Sequence, residues 1–395
     1  MNRHLLIFLD KTIFRILFLL VVLVSRFSIR KGKGVPTHLE GNERILVIRP
    51  GGLGDGIMAI PLLKCIKEHA PRCRVTLLCQ RKTRLAFDHV RYYDELVVID
   101  DIDSIRQNIR FLASTRFHAV LDLEPFRRMS SIIAFLVGKE IRAGFDTNNR
   151  RLLYTHIISY PNEKNFESIN MVRQLEVFGI LPDRERASDI RFPLPIGLED
   201  RALATLSGLS VDPDRNFIVA VFPGVLKPHH RWKMEEYAVL IRLILEEDER
   251  VVVLLMGTPG DRKDVDEVLQ VTGENGRVKD LAGLTNFGES MGILKATRIL
   301  VSCDGGAVYM GASMGCATLS IWGPGVLERF KPPGPMHVGV RKEYPCIPCV
   351  NYSRLGEFPK CPYDRKCLNT MAASEVFQHY MILKAGIPVG DRGDA

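Results

Sequence analysis

The residues of this chain best suited to chemistry begin in a glycine-rich loop that contains Gly51, Gly52, Gly54 and Asp55. The loop directly follows an apolar run and precedes a helical pattern. Its glycines can therefore bring backbone N–H groups close to an anionic or sugar group at the positive end of the helix. A carboxylate at the mouth of a cleft, beside flexible glycines, is suited to remove a proton from an attacking hydroxyl. The alternative is a tight strand-to-helix turn in which Asp55 only starts the helix.

A glycine loop between a strand and a helix is also typical of dinucleotide-binding folds, but two observations disfavour bound NAD. The loop reads PGGLGDG, which does not have the spacing G-x-G-x-x-G. The second predicted strand ends in Cys79 and Gln80 rather than in the acidic residue that would hold a ribose. An NAD-dependent oxidoreductase is therefore the weakest of the enzyme hypotheses.

A second segment, FPGVLKPHHRW, concentrates positive charge after another apolar run. Gly224 lies in its Pro-Gly turn, and Lys227, His230 and Arg231 follow. Arginine and lysine donate to phosphate oxygens, so the segment suits a diphosphate. A solvated basic loop is the alternative. A metal held by His229 and His230 is disfavoured, because no acidic or cysteine partner lies nearby at ligand spacing.

A third loop contains Asp304, Gly305 and Gly306, again where an apolar run meets a helical pattern. The two glycines free backbone amides for a phosphate, and Asp304 could bond the sugar hydroxyls of a donor. The alternative is an aspartate N-cap followed by a glycine turn. The three segments together predict a nucleotide-activated substrate.

Length and composition predict two globular domains. The chain has 395 residues, 46% of them hydrophobic and 25% charged, which fits two α/β domains and excludes wholesale disorder. The net charge of +8 favours anionic partners. No run of Lys and Arg interleaved with aromatic residues is present in the sequence, so nucleic acid is not an expected partner.

The elements that must position these loops follow from hydrophobic periodicity. Helical patterns alternate with apolar runs, which indicates parallel, doubly wound sheets. The pattern dissolves around 182–200, which we take as the boundary between domains. The predicted strands are the runs 45–50, 74–79, 95–100, 118–123, 217–223, 250–257, 298–303 and 317–323. The predicted segments of the chain are 1–34, 44–196, 214–343 and 344–395.

The first thirty-four residues stand apart from the rest. They contain the apolar run Ile16–Val24, interrupted upstream by Asp10, Lys11 and Arg15. A tract without acids follows it and carries Arg26, Arg30, Lys31 and Lys33. We expect an amphipathic helix on an anionic membrane surface, with a single membrane span as the alternative. Both place the catalytic body on the cytoplasmic face of the inner membrane, whereas a secretory signal fits poorly.

The three segments together resemble glycosyltransferase family 9, the ADP-heptose:lipopolysaccharide heptosyltransferases. The segments that carry the resemblance read ILVIRPGGLGDGIMAIPLLKCIK, FPGVLKPHHRW and DLAGLTNFGESMGILKATRILVSCDGGAVYMGASMGCATLSIWGP. The similarity extends from about Arg44 to about Phe377. It implies a GT-B fold, in which two Rossmann-like domains face each other across a cleft. The acceptor then binds in segment 44–196 and the nucleotide-sugar in segment 214–343.

The resemblance also implies inverting transfer of the sugar without a metal or other cofactor. Asp55 matches the general base of the family. His230 stands where the family has a lysine that contacts the donor diphosphate, so Arg231 or Lys227 would supply the charge. Asp261 is the nearest match to the acid that holds the nucleoside ribose.

The third loop departs most from the family pattern of Asp-Ser/Thr-Gly-x-x-His. Gly305 replaces the hydroxyl residue and Tyr309 replaces the histidine. A different nucleotide-sugar, or a non-catalytic nucleotide-sugar-binding homologue at the membrane, are the alternatives that these departures leave open. The leading hypothesis is a membrane-associated glycosyltransferase that uses ADP-heptose and a lipid-linked acceptor in lipopolysaccharide or envelope glycan synthesis.

The cysteines form two groups. Those in or beside apolar segments read as small buried hydrophobic residues, namely Cys65, Cys73, Cys79, Cys303 and Cys316. The tail carries Cys346, Cys349, Cys361 and Cys367, whose spacing permits zinc but agrees better with free thiols.

Overall fold

The computed structural model of the protein describes residues 13–25, 38–39, 41–160, 165–225, 227–349 and 361–387. The described residues up to Ile190 form one compact unit and those from Arg191 form the other. The basic tract of the sequence, from Arg26 to Lys33, lies outside the described residues.

The first unit is built on a parallel sheet of six strands. They are β1 (Arg44–Arg49), β2 (Arg74–Cys79), β3 (Glu95–Val98), β4 (Phe117–Asp122), β5 (Gly138–Phe145) and β6 (His156–Ile158). Their order in the sheet is β3-β2-β1-β4-β5-β6, and every neighbouring pair is parallel. The inner strands are almost wholly buried, as expected when helices cover both faces of a parallel sheet.

The connections of the first unit are mostly helical. Its α-helices are α1 (Ile13–Ser25), α2 (Leu53–Ile57), α3 (Ile60–His69), α4 (Arg81–Arg84), α5 (Ile102–Ser114), α6 (Arg128–Val137), α7 (Glu167–Val172) and α8 (Arg184–Ser188). Two 3₁₀ helices cover Thr147–Leu153 and Arg173–Phe178.

The second unit repeats this plan. Its strands are β7 (Phe217–Phe222), β8 (Val251–Leu255), β9 (Val278–Asp280), β10 (Ile299–Cys303), β11 (Ala317–Trp322) and β12 (His337–Arg341). Their order is β12-β11-β10-β7-β8-β9, again with all neighbouring pairs parallel. Relative to its own first strand, this is the same order as in the first unit.

The helices of the second unit include one from the tail of the chain. They are α9 (Leu198–Gly208), α10 (Met234–Glu247), α11 (Arg262–Thr272), α12 (Phe287–Ala296), α13 (Gly306–Ser313), α14 (Leu327–Phe330), α15 (Lys366–Asn369) and α16 (Ala373–Ala385). Two 3₁₀ helices cover Pro228–His230 and Pro259–Asp261. Tyr380 and Leu383 of α16 belong to the same buried cluster as Trp232, so the tail is part of the core of this unit.

All eight strands predicted from the sequence are present, and the described residues form four more that were not predicted. The additional strands β5, β6, β9 and β12 are short or polar, so periodicity alone does not reveal them.

The helical pattern after the first glycine loop forms two helices, α2 and α3, and not the single helix that was expected. Pro61 lies in the first turn of α3, where its missing N–H costs no helical hydrogen bond. Among the cysteines expected to be buried, Cys65 is only half-buried.

The topology explains why the predicted loops carry the polar residues. In each sheet the first and fourth strands of the unit are neighbours, and in a doubly wound sheet the chain leaves these two strands in opposite directions. The crevice that results at their carboxyl ends is the usual ligand position in such folds. Asp55 follows β1, whereas Asp304 follows β10. Each glycine loop therefore lies at the ligand-binding edge of its own sheet.

The helix expected in the first thirty-four residues is present as α1. Its Phe18 is buried against Ile132 and Leu153 of the same unit. No helix in the described parts of the chain is long and apolar enough to cross a membrane. Contact of α1 with a membrane stays a prediction.

Candidate active site

Asp55 is held at the carboxyl edge of the first sheet by two donors. Its Oδ2 accepts a hydrogen bond from the backbone N–H of Gly52 at 2.7 Å, and its Oδ1 accepts one from Nη2 of Arg49 at 2.7 Å. Gly51 makes this approach possible, because its φ is +154° and a Cβ there would lie 2.6 Å from Oδ2. The side chain of Asp55 stays 37% exposed. Asp55 therefore caps the first turn of helix α2 from within that turn and also presents a positioned carboxylate to solvent.

Arg49, which the sequence analysis did not identify, forms the buried base of this arrangement. Its side chain is 4% exposed, and its Nη1 lies 3.8 Å from Oε2 of Glu124. Burial by itself would lower the pKa of Arg49, but the carboxylates of Asp55 and Glu124 more than offset this and raise it. The guanidinium therefore remains charged between two carboxylates. A charged residue at the end of the otherwise apolar strand RILVIR was the available signal.

Glu124 belongs to the same edge because β4 is the neighbour of β1. Ile48 pairs with Asp122, so the two strands end side by side. Oε1 of Glu124 accepts hydrogen bonds from the backbone N–H groups of Phe126 and Arg127, at 3.0 and 3.2 Å. The carboxylate is thus fixed by the turn that leads into α6.

A buried network supports the end of β4. Oδ2 of Asp122 accepts hydrogen bonds from Nη2 of Arg150 at 2.6 Å and from the hydroxyl of Tyr154 at 2.7 Å. The side chains of Asp122 and Arg150 are both fully buried. Removal of either partner of such a pair strongly destabilises the fold, because the remaining charge is then buried without a counter-charge. This network holds the end of β4, two residues before Glu124.

In the second unit the structure brings His230 and Asp304 together. Nδ1 of His230 lies 3.0 Å from Oδ2 of Asp304, and the two side chains are 3% and 13% exposed. The strands that carry them are neighbours, since Ser302 of β10 pairs with Phe222 of β7. The basic loop and the third glycine loop, which were separate motifs in the sequence, therefore form one arrangement.

Gly224 and Asp261 are also brought together at this edge. A Cβ on Gly224 would lie 2.3 Å from Oδ1 of Asp261, so the carboxylate rests against bare backbone. Oδ2 of Asp261 accepts hydrogen bonds from the backbone N–H and the hydroxyl of Thr258, at 2.8 and 2.6 Å. Asp261 thus contacts the turn after β7 from the turn after β8, and its contact with a ribose stays a prediction.

Arg231 forms ion pairs with two carboxylates of α11. Its Nη2 lies 2.7 Å from Oδ1 of Asp264 and 3.3 Å from Oε2 of Glu267, both on α11. These carboxylates compensate its charge. Lys227 is half-buried and immediately precedes the 3₁₀ helix that contains His230. Contact of either cation with the donor diphosphate stays a prediction.

The third loop leads into α13, which carries Tyr309. Gly305 is the N-cap of α13 and Gly306 its first residue, so their amides point out of a helix N-terminus. Tyr309 is only 5% exposed, and its hydroxyl donates to the carbonyl of Phe330 at 2.8 Å. Its role as a donor contact stays a prediction, and its hydrogen bond links α13 to α14.

Gly325, which was not identified from the sequence, lies against Asp304. A Cβ on Gly325 would be 2.6 Å from Oδ2 of Asp304.

The four tail cysteines form no disulfide bond among the described residues. Cys346, Cys349, Cys361 and Cys367 are all free thiols. Burial, followed by the neighbouring Cys346, raises the pKa of Cys349 to about 11. Within the described residues, no group of three or more His, Cys, Asp or Glu side chains is arranged to hold a metal ion.

Comparison with known proteins identifies the family. The sequence profile of glycosyltransferase family 9 (heptosyltransferase) matches residues 105–357. The chain belongs to glycosyltransferase family 9. It is therefore a glycosyltransferase, and the family resemblance drawn from the three segments is confirmed.

Relatives of this family 9 glycosyltransferase are distant in sequence. Lipopolysaccharide heptosyltransferase 2 of Escherichia coli strain K12 is 22% identical over 316 residues, which cover 73% of this chain and 85% of that protein. The solved glycosyl transferase family 9 protein from Veillonella parvula DSM 2008 matches with a TM-score of 0.71 at 19% identity, over 88% of this chain and 99% of that chain. The E. coli ADP-heptose lps heptosyltransferase II matches with a TM-score of 0.67 at 17% identity, over 87% and 99% of the two chains. The expectation of two Rossmann-like domains is thus confirmed.

Proposed function

We propose that this family 9 glycosyltransferase transfers a heptose from ADP-heptose to a lipid-linked acceptor in lipopolysaccharide core synthesis. The names of its relatives, lipopolysaccharide heptosyltransferase 2 and ADP-heptose lps heptosyltransferase II, support this choice of donor and acceptor. The observation that carries the proposal is the position of Asp55, a partly exposed carboxylate anchored at the ligand edge of the first sheet.

The acceptor reacts at the first unit. Asp55 removes the proton from the acceptor hydroxyl, and the oxygen attacks the anomeric carbon of the donor on the side opposite the diphosphate. A C–O bond to the acceptor forms while the C–O bond to the phosphate breaks, so the configuration inverts. Arg49 keeps the Asp55 carboxylate in place through its 2.7 Å hydrogen bond. Arg127, whose side chain is 43% exposed at the same edge, provides positive charge for anionic groups of the acceptor.

The donor binds at the second unit. The departing ADP takes the electron pair of the broken bond, and its negative charge requires nearby donors. The N–H groups at the start of α13 and the ammonium group of Lys227 fill this role. Asp261, fixed by Thr258, accepts hydrogen bonds from the ribose. His230, held by Asp304, occupies the position of the family's lysine.

Purified full-length protein, a panel of nucleotide-sugars and a lipid-linked core acceptor test this proposal. We expect transfer from ADP-heptose and inversion at the anomeric carbon, with a rate that EDTA does not change. The panel includes UDP-glucose and GDP-mannose, because Gly305 and Tyr309 depart from the family pattern at the donor loop. Transfer from one of these and not from ADP-heptose would replace the donor but keep the reaction class. Absence of both transfer and hydrolysis with every donor would contradict the proposal.

A further inference from the structure

Helix α1 has two apolar faces, and the domain covers only one of them. Phe18 is 2% exposed and packs against Ile132 of α6 and Leu153 of the adjoining 3₁₀ helix. Val21 and Val22, which lie three and four residues further along, pack partly against the same cluster. Cζ of Arg128 lies 5.9 Å from the centre of the Phe18 ring. These contacts fix α1 on the surface of the first unit.

The opposite face of α1 is exposed. Ile16, Leu19, Leu20 and Leu23 follow a spacing of three and four residues, and they are 62%, 59%, 56% and 57% exposed. Two elements that contact α1 carry further exposed apolar side chains, Leu136 on α6 and Leu152 on the 3₁₀ helix, at 52% and 47%. Single exposed leucines are ordinary, but a whole apolar helix face in water indicates a binding surface.

Charge identifies what covers this face. Between Lys11 and Leu39 the sequence contains no Asp or Glu. The cations of this stretch are Lys11, Arg15, Arg26, Arg30, Lys31 and Lys33. The surface of a protein of ordinary composition carries both signs of charge and does not match such an excess of positive charge. The surface of an anionic bilayer matches it, because insertion of apolar side chains and attraction of cations to the lipid headgroups add to each other.

We propose that the outer face of α1 inserts into the surface of an anionic phospholipid bilayer while its inner face remains docked on the first unit. The membrane contact is then part of the folded domain, not a separate tether. Arg128, which contacts Phe18, begins α6, and the residue before it forms the turn fixed by Glu124 at the acceptor edge. A bilayer on α1 therefore lies beside the edge where a lipid-linked acceptor reacts. This last step rests on the proposed function.

The test uses full-length protein and co-sedimentation with phosphatidylcholine vesicles, with and without phosphatidylglycerol. We expect binding that requires phosphatidylglycerol and weakens as salt is added. The variant Leu19→Glu/Leu23→Glu places two charges on the outer face. We expect it to lower the vesicle-bound fraction about tenfold, since a charged side chain in the interface opposes insertion.

The matched control is Leu181→Glu/Leu284→Glu, which adds the same charges at side chains that are 79% and 72% exposed elsewhere. It should bind vesicles as the unchanged protein does, and both variants should unfold at the unchanged temperature. Equal binding by Leu19→Glu/Leu23→Glu and the unchanged protein would overturn the proposal. A second result would also overturn it: the unchanged protein is a dimer that does not bind vesicles, and Leu19→Glu/Leu23→Glu is a monomer. In that case a second copy of the chain would cover the outer face of α1.

The vesicle measurement contains neither donor nor acceptor. A failure of the membrane proposal in this assay therefore says nothing about the proposed transfer reaction. Activity distinguishes the two further. With a delipidated, soluble acceptor, Leu19→Glu/Leu23→Glu should retain the full transfer rate. With the acceptor embedded in phosphatidylglycerol vesicles, its rate should fall about as far as its binding. Equal loss with both acceptors would show that the helix acts on the catalytic site instead of on the membrane.

Discussion

The carboxylate of Asp304 lies 3.0 Å from Nδ1 of His230, and this pair joins two loops of the second unit. The two residues are far apart in the sequence. The contact follows from the pairing of β7 with β10, which brings the carboxyl ends of two strands separated by about 75 residues to the same edge. The aspartate of the glycine loop therefore orients the residue that replaces the family's lysine.

Substitution of His230 should affect the donor more than the acceptor. We expect His230→Ala to raise the KM for the nucleotide-sugar about tenfold, because it removes a buried partner of Asp304 and loosens the basic loop. His230→Lys places an ammonium group beside Asp304 and should recover most of the loss. Steady-state kinetics with each substrate varied in turn would measure this. An unchanged donor KM in His230→Ala would show that the pair is structural only.

Removal of the proposed base should abolish turnover without abolishing nucleotide binding. Asp55→Asn keeps the shape of the side chain but cannot accept the proton, and we expect kcat to fall by about 10²–10⁴-fold. ADP affinity, measured by calorimetry, should not change, because Asp55 belongs to the other unit. Near-normal kcat in this variant would remove Asp55 as the base.

Arg49 should be needed for both stability and activity. Arg49→Met leaves the carboxylates of Asp55 and Glu124 without their buried cation, which should lower the free energy of unfolding by about 3 kcal/mol. The turnover number should fall as well, because Asp55 loses its hydrogen-bond donor. Arg44→Met, at the exposed opposite end of the same strand, is the matched control and should change stability by less than about 0.5 kcal/mol. Similar stability losses in the two variants would contradict the role of Arg49.

Two glycine-to-serine substitutions should have opposite effects. A Cβ on Gly305 would lie 3.7 Å from the nearest atom, the carbonyl oxygen of Cys303, so Gly305→Ser fits without strain. Its hydroxyl would stand at the N-terminus of α13, and we expect the donor KM to fall about threefold. Gly224→Ser would place its Cβ 2.3 Å from Asp261 and should raise the donor KM instead. Donor titrations and thermal unfolding of both variants check this, and a destabilised Gly305→Ser would count against the geometry of the loop.

The second unit should lose stability in mild acid because of His337. Its Nδ1 lies 3.0 Å from Oγ1 of Thr318, and burial, helped by Lys331, lowers the pKa of His337 to about 4. In the unfolded chain the pKa of a histidine is about 6.5, so the unfolded state binds the proton first. Stability from this group is complete above about pH 6.5 and declines as the pH falls toward about 4, with a loss of about 2 kcal/mol at about pH 5. Urea unfolding of the protein and of His337→Gln would measure it, and an equal decline in both would exclude His337 as the cause.

Much of this protein could be read from local sequence. Apolar runs such as ILVIR and ILVSC are long enough to predict buried parallel strands, and the glycines at their ends predict the loops. The family resemblance followed from the same segments. Strands β9 and β12 were not predicted, because they have only three and five residues, and these are too few and too polar to show a hydrophobic period. Their formation depends on pairing with the strands beside them.

The partners of the functional side chains could not be read in this way. Asp55 was identified from its loop, but Glu124 lies near Arg49, which holds Asp55, only because β1 and β4 are neighbours. Arg231 and Lys227 looked equivalent in sequence, and only the packing of α11 shows that Arg231 faces Asp264. Local sequence determines which backbone forms because propensity and periodicity act over a few residues. The direction in which a charged side chain points is decided by residues far along the chain, which only the folded sheet brings within a few ångströms.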